Sequence, residues 1–99
     1  MNLKNIQTHE PAGVVLGYDD IGKRILVDVR NHVKANDIIE LLLPRENVAI
    51  DTRSLLDDDG KKIDQAHAGD QIYLPLSFCA PKGALLRKQV IRLKTSHVS

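Results

Sequence analysis

The sequence predicts an all-β domain, a small six-stranded barrel followed by a short helical or extended basic C-terminal arm. Three observations predict it. Apolar residues recur with a period of two in one segment after another, no long amphipathic helical pattern appears before residue 83, and a turn–strand–turn–strand block occurs twice. A chain of 99 residues has room for one domain with a modest core. With 42% hydrophobic and 27% charged residues it has the composition of a folded globular domain. Only 3% of residues are aromatic, so the core must be built from Val, Ile and Leu. The same scarcity argues against an aromatic platform on which nucleic-acid bases could stack.

Residues 1–10 read as an N-terminal lead, residues 11–88 as the barrel, and residues 89–99 as a basic tail. In GVVLGY the residues Val14, Leu16 and Tyr18 alternate with their neighbours, as a half-buried strand requires. In RILVDVR it is Ile25, Val27 and Val29, set against Leu26, Asp28 and Arg30. The same period gives Ile39, Leu41 and Leu43 in IIELLL, then Val48, Ile50 and Thr52 in NVAIDTR, then Ile72, Leu74 and Leu76 in QIYLPL. In ALLRKQVIRLK the residues Leu85, Leu86, Val90 and Leu93 can pack against the barrel or a partner chain, with at most a short helix over 83–94.

An internal echo runs through these segments. DDIGKRI at 19–25 returns as DDDGKKI at 57–63, and ANDIIEL at 35–41 returns as AGDQIYL at 68–74, in the same order. With a strand entering each first turn, the pattern is twice three strands, which suits a closed or nearly closed barrel with few free edges. The echo also explains RNHVKANDIIELLLP at 30–44, the stretch that most resembles a site. Asn36 stands where the second copy has Gly69, and both residue types tolerate positive φ. Asp37 and Asp70 then have the usual task of a turn aspartate, accepting hydrogen bonds from nearby backbone N–H groups. The stretch is expected to be a corner.

Catalytic chemistry is hard to find. Ser54 and Ser77 lack a Gly-x-Ser-x-Gly elbow. Cys79 with His67 is the remaining thiolate pairing, although a single Cys after LPLSF reads more readily as a small packed hydrophobe. His9, His32, His67 and His97 have no HxxxH or HxH spacing, so no metal site and no cofactor are expected. Setting Gly60 at the sixth position of an EF-hand loop puts Leu55 first and Ala66 twelfth, where acids are required. That stretch reads as a hairpin. The lone Cys79 has no internal disulfide partner, and neither a secretory h-region nor an apolar span of about 20 residues is present. A cytoplasmic chain without membrane association is expected.

The net charge of +1 hides an asymmetry. Residues 1–70 hold 9 Lys and Arg against 13 Asp and Glu, a net −4, whereas residues 71–99 hold Lys82, Arg87, Lys88, Arg92 and Lys94 and no acid. These five are the candidate nucleic-acid-binding residues, and a solvated, solubilising tail is the alternative.

The succession AGVVLGYDDIGKRILVDVRNHVKANDIIELLLP, LLDDDGKKIDQAHAGDQIYLPL and GALLRK resembles the C-terminal domain of the collagenase-like peptidase family, class U-thirty-two. The family pattern has a Gly-x-Val-x-Gly-Tyr start, an Arg-Asn corner ending in Gly-Asp, an Asp-Gly hairpin, a proline-bearing strand and a closing Leu-Leu-Arg. Here Val33 replaces a Phe of the corner and Asn36 its Gly. The resemblance spans 11–88 and implies a β-barrel like the second domain of translation elongation factors. It also implies a separate N-terminal catalytic domain, with protease activity or oxygen insertion on tRNA or rRNA bases and an iron–sulfur cluster in that catalytic part. This chain is then expected to be a separated, non-catalytic accessory module that helps present RNA or protein to the catalytic domain. A purely structural or homo-oligomerising module is the alternative.

Overall fold

The structure, a computed structural model, describes the backbone of residues 3–95 and the side chains of residues 8–90. Its elements are β1 (Leu3–Asp19), β2 (Arg24–Val29), β3 (Val33–Lys34), β4 (Ile39–Leu42), β5 (Asn47–Ile50), β6 (Leu55–Asp57), β7 (Lys62–Ile63), β8 (Gln65–Ala66), β9 (Gln71–Pro75) and β10 (Leu85–Thr95). No helix occurs among the described residues. Eight strands form one sheet in the order β5-β4-β10-β1-β2-β9-β6-β7, and β3 pairs with β8 in a second, two-stranded sheet.

The alternating segments are strands, and their inward residues make one aliphatic core. Ile25, Val27 and Val29 of β2, Ile39 and Leu41 of β4, Ile72 and Leu74 of β9 and Leu86 of β10 are buried together with Leu55 and Ile50. In GVVLGY of β1 Val15 is buried with the core, not Val14 or Leu16, and Ala12 just ahead of it is buried too. The register against β2 slips between Val15 and Gly17, so the bulged Leu16 reverses the parity and Tyr18 comes to lie opposite Ile25. Tyr18 packs on the core and its hydroxyl donates to Leu76 O at 2.9 Å. A second slip, between Pro11 and Gly13, lies opposite β10.

Two expectations are corrected. The sheet does not close into a six-stranded barrel: its edges are β5, which pairs with β4, and β7, which pairs with β6. Closure would need a ladder between those edges, and β7 is two residues long. The residues ahead of the two corners pair with each other instead, Val33 with Ala66 and Lys34 with Gln65. The likeness to a closed elongation-factor barrel fails with it. Nor is there a helix over 83–94, because Leu85–Thr95 is a strand held between β1 and β4. Gly83, at φ 89°, turns the chain into it, donating its N–H to Val15 O at 2.8 Å.

β1 and β10 continue well beyond their other neighbours. β2 pairs with β1 from Gly13 onward and β4 pairs with β10 only as far as Lys88, so residues 3–11 and 89–95 form a two-stranded ribbon. Most of the expected lead and tail is therefore strand. The ribbon makes the molecule long, with a radius of gyration of 15.2 Å against about 13 Å for a compact domain of this length.

Candidate functional site

The corner at 30–44 is built as the echo predicts. Asn36 has φ 71° and Gly69 φ 96°. The Asp37 carboxylate accepts the Lys34 N–H at 2.8 Å, and the Asp70 carboxylate accepts the His67 N–H at 2.8 Å. In return Asp37 N–H donates to Lys34 O and Asp70 N–H to His67 O. Thr52, the one polar residue buried among those described, fixes the first corner by donating its hydroxyl to Asp37 O at 2.6 Å. The rings of His32 and His67 stack with centroids 4.8 Å apart, and His32 Nε2 lies 2.8 Å from Gln65 Oε1. Cys79 is exposed, and its Sγ contact is with its neighbour's carbonyl, Ala80 O, so His67 and Cys79 are not joined. His97 lies outside the described residues.

The first turns echo less closely. Asp19 Oδ1 accepts the N–H groups of Ile21 and Gly22, whereas Asp57 Oδ1 accepts those of Asp59 and Lys61. Hydrogen bonding to Gly22 N–H, and then to Arg24, holds the Asp19 carboxyl below its ordinary range. The carboxylates of Asp57, Asp58 and Asp59 come within 4.8 Å of one another, but Asp57 is the cap of its own hairpin turn.

The five candidate cations are placed unequally. Lys82 is exposed in the turn before β10. Arg87 sets Nε and Nη2 each 3.0 Å from Glu40 Oε1 across the β10–β4 ladder. Lys88 Nζ donates to His32 O at 2.5 Å, tying β10 to the corner. Lys88, Arg92 and Lys94 fall at even-numbered positions of β10 with Val90 between the first two, and the backbone register sets Lys94 opposite Lys4. Arg87 has the opposite parity. The side chains of Arg92 and Lys94 lie outside the described residues.

A groove of about 490 Å³ escapes the sequence reading. It crosses the outer face of the sheet where β1, β4 and β10 meet, next to the end of β2, and Pro11, Val14, Leu42, Leu85 and Leu86 make its apolar surface. His9, Arg30 and Arg87 also line it, and no carboxylate does. Its signal in the sequence is that GVVL, ELLL and ALLR are apolar at both parities, one more face than a one-sided core needs.

Residues 7–87 match the family described as the Peptidase family U32 C-terminal domain. The fold and the match together define a C-terminal domain of the peptidase type. The chain belongs to this family, as the C-terminal domain of a U32-peptidase-family protein. Two solved structures agree, both of the C-terminal domain of a Geobacillus thermoleovorans protein assigned to the U32 peptidases. Its selenomethionine variant is 31% identical, with a TM-score of 0.70 over 80% of this chain and 99% of that one. The other is also 31% identical, with a TM-score of 0.67 over 78% of this chain and 89% of that one. Among curated proteins none is similar enough to count as a match. No helix among the described residues is long and apolar enough to cross a membrane.

Proposed function

We propose that this domain is a non-catalytic accessory module that helps present a macromolecular substrate, RNA in the first instance, to a separate catalytic region of a U32-type protein. The observation that carries the reading is the ribbon: Lys88, Arg92 and Lys94 recur at one parity of β10, with Lys4 across the backbone ladder from Lys94. Positions two residues apart on a strand, as Arg92 and Lys94 are, lie about 7 Å apart, close to the phosphate spacing of an extended nucleic-acid strand, and Lys88 stands two such steps further along. Lys82 extends the set at the base of β10, while Arg87 holds Glu40 and adds to it only through its remaining N–H donors.

Binding of a tRNA probe, followed by fluorescence anisotropy across a salt series, tests this. Each phosphate contact contributes about −0.7 to −0.9 to the slope of log K against log salt, so Arg92→Ala/Lys94→Ala should flatten the slope by roughly 1.5. The loss should be similar for RNAs of different sequence, because phosphate contacts position without reading bases. An unchanged slope, or no binding at low salt, rejects the RNA role. The structural-module reading has its own support, since the Arg87–Glu40 pair and the Lys88–His32 bond both fasten β10 to the body of the domain. An oligomer that dissociates on ribbon substitution, without RNA affinity, would favour it.

A further inference from the structure

We infer that the groove on the outer face of the sheet docks an extended segment of a partner protein, one that sets aliphatic side chains next to a carboxylate. Leu85 lies at the centre of the argument. It is a large hydrophobic residue with 54% of its surface exposed, and it stands on β10 directly opposite Leu42 of β4 and Val14 of β1. Those three, with Pro11, make an apolar floor on the face of the sheet that points away from the core. A segment that covers the exposed part of Leu85 gains the apolar burial that the domain leaves unused.

The charges around the floor decide what kind of segment it takes. His9, Arg30 and Arg87 line the groove without a single acid. Their own carboxylate partners leave donors free: Arg30 contacts Asp28 through Nε at 3.1 Å, and Arg87 meets Glu40 through Nε and Nη2. Each guanidinium carries five N–H donors, so both retain N–H groups for an incoming carboxylate. His9 Nε2, 3.8 Å from the same Glu40 oxygen, stands beside the two guanidinium groups on the rim.

A nucleic acid fits this surface less well. The floor is aliphatic and offers no Phe, Tyr or Trp on which a base could stack. A second copy would bring the same Arg and His rim against itself. An extended acidic–aliphatic peptide satisfies both the floor and the rim. The groove shares Arg87 with the RNA reading of the ribbon, but Arg92 and Lys94, on which that reading chiefly rests, do not line it.

Selection from a library of displayed heptapeptides on the immobilised 99-residue chain tests the assignment. The recovered peptides should combine Leu, Ile or Val with Asp or Glu. A recovered peptide, titrated into the isotope-labelled chain, should shift the amide resonances of Val14, Leu42, Leu85 and Arg87. Leu85→Asp should weaken it about tenfold or more, since it removes an anchor worth more than about 1.4 kcal/mol. Arg30→Gln should lower the preference for the acidic peptide over its Gln-substituted form, with an unchanged melting temperature showing that the fold is intact. Arg92→Ala/Lys94→Ala should leave peptide affinity as it was, which separates this outcome from failure of the RNA reading. Recovery of no peptide, recovery of basic ones, retention by Leu85→Asp, or stronger shifts of the same amides by an oligouridylate would each overturn the proposal.

Discussion

Asn36 and Gly69 occupy equivalent corners whose following aspartates make the same hydrogen bonds, yet only one of them is the residue type without a Cβ. At φ 71° an L side chain is strained, so Asn36→Gly should be neutral or stabilising by roughly 0.5–1 kcal/mol, and Asn36→Val clearly destabilising. Chemical denaturation of the two variants reads the difference directly. Equal stability of the Gly and Val variants would mean that Asn36 does not hold the left-handed conformation. The corner was legible in the sequence because the bonds of its two aspartates span three residues on either copy, whereas the ties to Thr52 and Val29 are long-range and were not. Asp51 gives a second test at this scale. Hydrogen bonds from the Arg53 side chain and then from its backbone N–H lower its carboxyl from 3.8 to about 2. A carboxyl depressed in the folded state stabilises above about pH 4 and loses that contribution as pH falls toward 2. Melting curves should therefore show a smaller fall between pH 4 and pH 2 for Asp51→Asn than for the parent chain. The pair is exposed and salt-screened, so the difference should shrink in high salt.

Strand identity was legible wherever one parity is apolar, and ambiguous in β10. Leu86, Val90 and Leu93 stand at i, i+4 and i+7, which fits a helix face, while Lys88 interrupts the apolar alternation expected of a strand. Pairing with β1 along its length decides the matter, a long-range contact that a local reading of ALLRKQVIRLK does not contain. The outer groove was missed for a related reason: apolar residues at both parities read simply as more core. The bulges of β1 supply the prediction for this scale. A Cβ on Gly13 would meet Val27 Cγ1 at 2.5 Å and Asp28 O at 2.8 Å, and the second of these is backbone in the adjoining strand. Gly13→Ala should cost about 1–3 kcal/mol, a fall of several degrees in melting temperature for a domain of this size. Gly17→Ala is the control, because a Cβ there meets nothing within 4 Å. It should be nearly neutral. Equal effects of the two would show that close approach at Gly13 is not what fixes the bulge.

For the whole molecule, the echo locates the two matching corners, but the twice-three-strand barrel inferred from it does not form. Sequence repetition cannot say whether the outer strands of two halves find each other, since closure depends on edge length and on what else pairs nearby. Here the edges stay open and are protected in other ways. The β7 edge is short and carries Lys62, and the β5 edge is flanked by Arg45, Glu46, Asp51 and Arg53, charges that discourage pairing with another sheet.

The long ladder between β1 and β10 has a mechanical consequence. Leu3 and Thr95 are ladder partners, so chain entering and chain leaving the domain do so side by side. A pull applied at those two points loads the ribbon's hydrogen bonds one after another, as in opening a zipper, and does not shear many at once. The ribbon should peel at low force from its free end up to the bulge at Pro11–Gly13, where β2 and β4 begin to share the load, and the remaining body should yield later as a separate event. Optical-trap extension traces with handles at residues 3 and 95 should show those two steps in that order. A single high-force rupture would mean that ribbon and body fail as one unit.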